Sequence, residues 1–326
     1  MGISRRRFLE TAALSGLAAH PLLSAEVDSK SGMPTRILGK TGARISILAF
    51  GGGSRYLAYQ EEDKALEALN KALDMGITYV DTAYGYGNGK SETRVGQIMK
   101  TRRKGIFLVT KINARNGDEA QRILEGSMKR LQTDQVDLIH VHSLTDADDL
   151  AAVEAKNGVL SVLHKLRDQK VTRFIGVTSH TDPVVLKTAI ERHDFDCTQM
   201  ALNAAHVGML TGSSGMEINP ALTTSFEHIA LPVALKKGMG VTAMKAFAQE
   251  GLSGKASPEK LISYCLSLPV AACVVGMPKL EFIDKNIAIA KAFRPLPKEE
   301  MKELSDRLAL AHKAELDRFF CNHVDA

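Results

Sequence analysis

Alternation is the feature that most limits what this chain can fold into. From Thr35 onward, a short β-branched or apolar run, a turn and an amphipathic helical stretch follow one another eight times. The strand-like runs are ISILAFG (from Ile45), TYVDTA (Thr78), IFLVTK (Ile106), VDLIHVH (Val136), RFIGVTS (Arg173), CTQMALN (Cys197), GVTAMKAF (Gly240) and AACVVGM (Ala271). Between them, apolar residues recur at helical spacing over Glu61 to Met75, Asp118 to Leu131, Val159 to Asp168, Asp182 to Arg192 and Ser225 to Lys237. Ser257 followed by Pro258 reads as an N-cap and a first helical residue. Eight such units without a break in composition predict a (β/α)8 barrel, of the TIM type, over residues 35–326 with a C-terminal helix. A doubly wound open sheet would usually show a GxGxxG turn after an early strand, and FGGGSR (Phe50 to Arg55) does not have that pattern.

In a barrel the carboxyl ends of the strands share one face, and active sites sit there. Strand two ends in Asp81 with Tyr86 in the loop beyond it, strand three ends in Lys111, and strand four ends in His142. Each has an ordinary reading alone: a turn cap, a packing aromatic, a snorkelling amine, a satisfied core imidazole. Together at the ends of consecutive strands they point to chemistry. A phenol is a poor proton donor near neutrality, and a nearby ammonium stabilises its phenolate and lowers its pKa. Asp81 would keep Lys111 charged, Lys111 would tune Tyr86, and His142 would orient a substrate oxygen or share its proton. Such a relay suits a carbonyl or an alkoxide. It requires no metal, and no Cys, His or Asp cluster shows ligand spacing along the chain.

These residues resemble the aldo-keto reductase family. YVDTAYGYGNGKSE (Tyr79 to Glu92) is similar to that family's Asp-Thr-Ala-x-x-Tyr-Gly segment, VTKI to its lysine strand and QVDLIHVH to its Val-Asp-Leu-x-x-x-His strand. The resemblance runs from Thr35 through Ala292. It implies an oxidoreductase that moves a hydride between NADP, or alternatively NAD, and an aldehyde or ketone or the corresponding alcohol. Tyr86 would be the general acid, or the base in the reverse direction. His140 precedes His142 by two residues and would also face the interior, but the family's spacing from Asp137 selects His142.

The resemblance also implies cofactor contacts. GVTSH (Gly176 to His180) places Thr178 and Ser179 at the nicotinamide carboxamide, with Gln199 beside them. Gly51 and Gly52 would allow close backbone approach. Met244, where many relatives carry a stacking tyrosine, would cover the ring face with its thioether, next to Lys245. After strand eight, Asn286 matches the family's asparagine near adenine. That register puts Gly276 where a lysine usually stands and Phe282 where an arginine often is, and leaves Met277, Lys279 and Lys285 as candidates around the phosphate end. Some relatives with the Met-Lys variant on strand seven carry a C-terminal iron-sulfur segment, but a lone Cys321 cannot ligate a cluster. Two alternatives stand beside the reductase: a cofactor-binding regulatory barrel with little turnover, and a barrel lyase or isomerase using Lys111 as a Schiff base. The intact set of four argues against the first, and the Thr178, Ser179 and Gln199 matches against the second.

The N-terminus differs from the rest. SRRRFLE (Ser4 to Glu10) is followed by TAALSGLAA, which is far shorter than the about 20 apolar residues a bilayer span needs, and then by HPLLSA. The charged start, short apolar middle and small-residue end resemble a twin-arginine signal, expected over residues 1–25 and followed by a linker at 26–34. The expectation is export of the folded protein through the twin-arginine machinery to the periplasm, without stable insertion in the membrane. The formal charge of +5, with no dense Lys/Arg block in the body of the chain, does not suggest a nucleic-acid partner. Cys197, Cys265, Cys273 and Cys321 lack CxxC spacing and read as free thiols. The substrate is not legible, because the loops at Leu144 to Gly158 and His206 to Ser225 carry no signature; the second, with its small polar residues and glycines, reads as a lid.

Overall fold

The structure, a computed structural model, describes residues 25–212, 215–219 and 222–321. The segment read as an export signal, up to residue 24, lies outside the described residues, as does the side chain of Cys321. Eight parallel strands close into a barrel: β1 (Leu48–Gly51), β2 (Tyr79–Asp81), β3 (Phe107–Ile112), β4 (Val136–Val141), β5 (Thr172–Ser179), β6 (Cys197–Ala201), β7 (Gly240–Met244) and β8 (Ala272–Val275), with β8 pairing back onto β1. The crossovers are α1 (Glu62–Asp74), α2 (Lys90–Arg102), α3 (Gly117–Leu131), α4 (Val159–Asp168), α5 (Pro183–Arg192), α6 (Leu231–Lys236) and α7 (Pro258–Ser267), and α8 (Leu280–Ala292) and α9 (Lys298–Cys321) follow the last strand.

Each element follows from its own residues. α1 buries Ala65, Ala68, Leu69, Ala72 and Leu73, the i, i+3, i+4, i+7 stripe of a helix laid on a sheet. The Ser257 hydroxyl accepts from the amide of Lys260 and caps α7, and the Asp182 carboxylate accepts from the amides of Val184 and Val185 and caps α5. One expected helix is divided: Ser225 to Lys237 forms a short helix at Phe226–Ile229 and then α6, with Pro232 in the first turn of α6, where it lacks an amide to continue the ladder.

Strand alternation sorts the barrel's two sides. Ala49, Tyr79, Phe107, Val109, Leu138, Cys197 and Val274 form one apolar cluster inside the barrel, with Tyr79 stacked on Phe107 and Phe107 on Phe174. Their strand neighbours Leu48, Phe50, Val80, Leu108, Ile139, Ile175, Val177, Met200 and Cys273 belong to the larger cluster shared with the helices. At the amino ends of the strands the interior is plugged by Ile45, from a small antiparallel sheet of Glu26–Val27, Pro34–Ile37 and Arg44–Ser46, and by Leu38, the residue after its middle strand. Residues 26–34, expected as a linker, are therefore paired structure: Glu26 lies opposite Thr35 and Val27 opposite Pro34, because the strand amides find partners there. Beneath this sheet Arg36 is buried, donating to the carbonyls of Leu266 and Val270.

The loop after β6, expected as a lid, holds an antiparallel hairpin, Met209–Gly212 with Gly215–Ile218. The loop after β4 holds a helix, Ala147–Glu154, whose Asp149 binds Arg115 through two contacts of 2.6 and 2.7 Å. Cys197, Cys265 and Cys273 are free and buried, as expected. Among the described residues no helix is long and apolar enough to cross a membrane.

Candidate active site

Asp81 is the last residue of β2, and the chain then turns so that Tyr86 comes back over the barrel mouth. The turn closes through Gly87, Asn88 and Gly89, all at positive φ, a region open mainly to glycine and asparagine. The polar residues of this segment that do no chemistry hold it in place. Ser91 donates to the Gly52 carbonyl and shares a hydrogen bond with Thr82, and the buried Glu92 accepts from Thr110 and Arg130.

The four expected residues converge. Lys111 Nζ, on β3, lies 2.6 Å from Asp81 Oδ2, 3.0 Å from the Thr82 carbonyl and 3.2 Å from the Tyr86 hydroxyl. His142 follows β4 and meets the Tyr86 ring edge to face at 5.4 Å and 82°. Lys111 and Asp81 are buried, whereas Tyr86 and His142 are half-buried and line a cleft of about 710 Å³ at the carboxyl ends of the strands.

The electrostatics assign protonation states. Burial works against a charged Lys111, but Asp81 and Tyr86 together outweigh it and its pKa is raised, so it stays an ammonium. Burial raises Asp81, with Lys111 drawing it back in part. Tyr86 departs from expectation: burial raises its pKa by more than Lys111 lowers it, so the phenol keeps its proton at neutral pH. This is the state a proton donor needs. His142 is held well below the usual imidazole range by the surrounding protein and then by Lys111, and is neutral. His140 does point inward and is buried, but neither ring nitrogen has a hydrogen-bond partner within the protein, and it does not line the cleft. Its ring fills the space that Gly176 leaves, where a Cβ would lie 2.4 Å from Nδ1.

The expected cofactor residues divide. Gly51, Thr178, Gln199, Met244, Lys245 and Gly276 line the cleft. Ser179 does not: strand alternation turns it outward, where it donates to the Leu144 carbonyl. Gly52 serves packing, since a Cβ there would meet the Asp81 carbonyl at 2.7 Å and Ser91 Oγ at 2.9 Å. Met277 belongs to the core outside the barrel wall, and Lys279 and Asn286 sit on α8, off the cleft: Lys279 is its exposed N-cap and Asn286 is buried.

Several cleft residues escaped the sequence reading. Arg55 lines it from the single helical turn Ser54–Leu57, and Asn113, Ser143 and His180 from the segments after strands, where no periodicity singles them out. His180 bonds Ser143 Oγ at 3.1 Å and is pushed down to about 4 by burial and then Lys245. Arg55 pairs with Glu250 at 2.8 Å, joining the loop after β1 to the loop after β7. Burial, then Arg55 and Lys111, lowers Lys245 to about 8.

A nicotinamide nucleotide fits these residues. Gln199 Nε2 is buried in the cleft wall facing Asp81, without an acceptor at full hydrogen-bond geometry, and a carboxamide oxygen would supply one. Arg55 and Lys245 bring two cationic side chains to the same cleft for phosphates.

Fold and site define a (β/α)8-barrel oxidoreductase whose proton relay serves a carbonyl or alcohol oxygen. The model of the Aldo/keto reductase family matches residues 48–261. The uncharacterized oxidoreductase YqkF of Bacillus subtilis is 28% identical over 287 residues, covering 75% of this chain and 87% of YqkF. The holo form of aldo-keto reductase AKR11C1 from Bacillus halodurans superposes with a TM-score of 0.68 at 22% identity, over 85% of this chain and 96% of that one. An aldo-keto reductase from Klebsiella pneumoniae in complex with NADPH gives 0.65 at 21% identity, over 84% and 94%. The chain belongs to the aldo/keto reductase family.

Proposed function

We propose that this protein uses NADP to interconvert an aldehyde or ketone with its alcohol, with Tyr86 exchanging the proton. The observation that carries this reading is Lys111 Nζ, which touches Asp81 and the Tyr86 hydroxyl together. The nucleotide, when bound, supplies or accepts the hydride at the carbonyl carbon. Gln199 and Thr178 would hold its carboxamide and Met244 would cover its ring. Arg55 and Lys245 would meet phosphates, and the N-terminus of α8, with Lys279 at its N-cap position, would receive the far end, with Asn286 two turns along the helix. In reduction, negative charge develops on the substrate oxygen as the Tyr86 proton moves to it. Lys111 stabilises the phenolate left behind, and neutral His142 orients the substrate oxygen. The NADPH bound by the Klebsiella relative supports the choice of nucleotide.

Nucleotide oxidation, followed by absorbance with a panel of aldehydes, sugars and ketones, tests the reading. NADPH should be consumed with at least one of them, with kcat/KM about tenfold or more above NADH, the size of one charge-assisted hydrogen bond to the 2′-phosphate. Failure to oxidise either nucleotide with any carbonyl, together with failure to reduce NADP with the alcohols, would overturn it.

The N-terminal sequence supports folded export as a further proposal. A cofactor loaded before export would also stabilise the folded state that crosses. Changing Arg5 and Arg6 to lysine should retain the protein in the cytoplasm of a bacterial host, read by fractionation and immunoblot. Equal export of both forms would refute a twin-arginine route.

A further inference from the structure

Beside the barrel mouth, but off the cleft, the fold brings together His206, Glu227 and His228. One ligand atom from each lies within 4.8 Å of the other two. His206 comes from the loop after β6, and the other two from the short helix Phe226–Ile229. His206 Nε2 is 3.4 Å from Glu227 Oε2, close to the edge of a tetrahedron whose metal–ligand bonds are about 2.0–2.1 Å. The His206 and His228 rings stand 4.8 Å apart at 82°.

Each side chain is also held by a neighbour. Tyr264 Oη donates to Glu227 Oε2 at 3.0 Å and lies 2.9 Å from His206 Nε2, Ser305 Oγ is 3.2 Å from that nitrogen, and Ser225 Oγ is 3.0 Å from His228 Nδ1. The Ser225 contact on Nδ1 is of the kind that orients a metal-binding imidazole, whereas the Tyr264 and Ser305 contacts fall on His206 Nε2 and Glu227 Oε2 and would give way to the metal. His206 adopts φ +57, in the left-handed region that histidine enters more often than most non-glycine residues, and its ring faces Glu227. Two imidazoles and one carboxylate form a donor set suited to zinc-class cations, whereas magnesium prefers oxygen donors. His228 is exposed, so water can complete the coordination.

We propose that His206, Glu227 and His228 bind one divalent transition cation of the zinc class, tying the loop after β6 to the segment entering α6. The metal would take up the lone pair of His206 Nε2 now shared with Tyr264 and Ser305. It would stand apart from the proton relay, since none of its three ligands lines the cleft.

The test uses untagged full-length protein dialysed against EDTA, titrated calorimetrically with zinc chloride and, separately, with magnesium chloride. One zinc per chain should bind in the micromolar range and raise the melting temperature, with no uptake of magnesium. Zinc affinity should fall at least tenfold in Glu227→Gln, which keeps a hydrogen-bond acceptor for Tyr264, and in His228→Ala, an exposed position whose truncation spares the core. It should be unchanged in His193→Ala, which removes a different His–Glu pair, that of His193 with Glu154. Absence of zinc uptake by the wild type, or uptake that survives both Glu227→Gln and His228→Ala, would overturn the assignment.

Discussion

Replacing Tyr86 with phenylalanine should lower turnover in carbonyl reduction by roughly 10²–10⁴, the usual worth of a positioned general acid, while nucleotide affinity stays within about twofold. The hydroxyl lies 3.2 Å from Lys111 Nζ, and its ring lies edge to face with His142; phenylalanine keeps that ring contact and removes only the donor. Proton donation is needed only as charge develops on the substrate oxygen, so the loss falls on kcat rather than on binding. Single-turnover NADPH oxidation beside fluorescence titration of NADPH separates the two. Retained turnover, with circular dichroism matching wild type, would remove Tyr86 from the mechanism.

Lys111→Met should act on both catalysis and stability. Lys111 and Asp81 are a buried pair 2.6 Å apart, and removing the cation leaves a carboxylate without compensation, which typically costs about 3–5 kcal/mol. At about 2–3 °C per kcal/mol for a chain of this size, the melting temperature should fall by roughly 6–15 °C near pH 8. The pH dependence has a definite sign. Burial already raises the folded pKa of Asp81, and without Lys111 it rises further above the unfolded value of about 3.9. A carboxyl with a raised folded pKa contributes stability that is present at low pH and lost as pH rises through the folded value. The deficit of the variant should therefore be smaller at pH 5 than at pH 8. Asp81→Asn in the Lys111→Met background should recover much of the melting temperature but not the turnover, because the phenolate would still lack its cation. A deficit independent of pH, or full activity in either variant, would refute the relay.

How much of this could be read along the chain depends on distance in sequence. Asp81 and Tyr86 are five residues apart in one motif, and Lys111 lies near the end of β3 and His142 just after β4, so barrel geometry alone brings them to one mouth. Arg55, on a single helical turn, and Asn113, Ser143 and His180, after strand ends, were not legible, because segments this short have no period and reach the cleft only through the path of the backbone. The same limit hid the hairpin at Met209–Gly212 and Gly215–Ile218 and the cluster of His206, Glu227 and His228. The motif match puts Ser179 at the cofactor, whereas in the structure alternation along β5 turns its hydroxyl to the Leu144 carbonyl.

The sequence by itself determined the barrel and the convergence of Asp81, Tyr86, Lys111 and His142 at its mouth, since period, spacing and strand ends are local properties that survive unfolding. The tertiary structure alone decided the balance of charge. That Tyr86 keeps its proton despite Lys111 depends on how much water burial removes from the phenol, and the sequence holds no measure of that. It also decided which polar residues face the cleft, because half of each strand's side chains point away from the barrel axis and loops are placed by contacts distant in the chain.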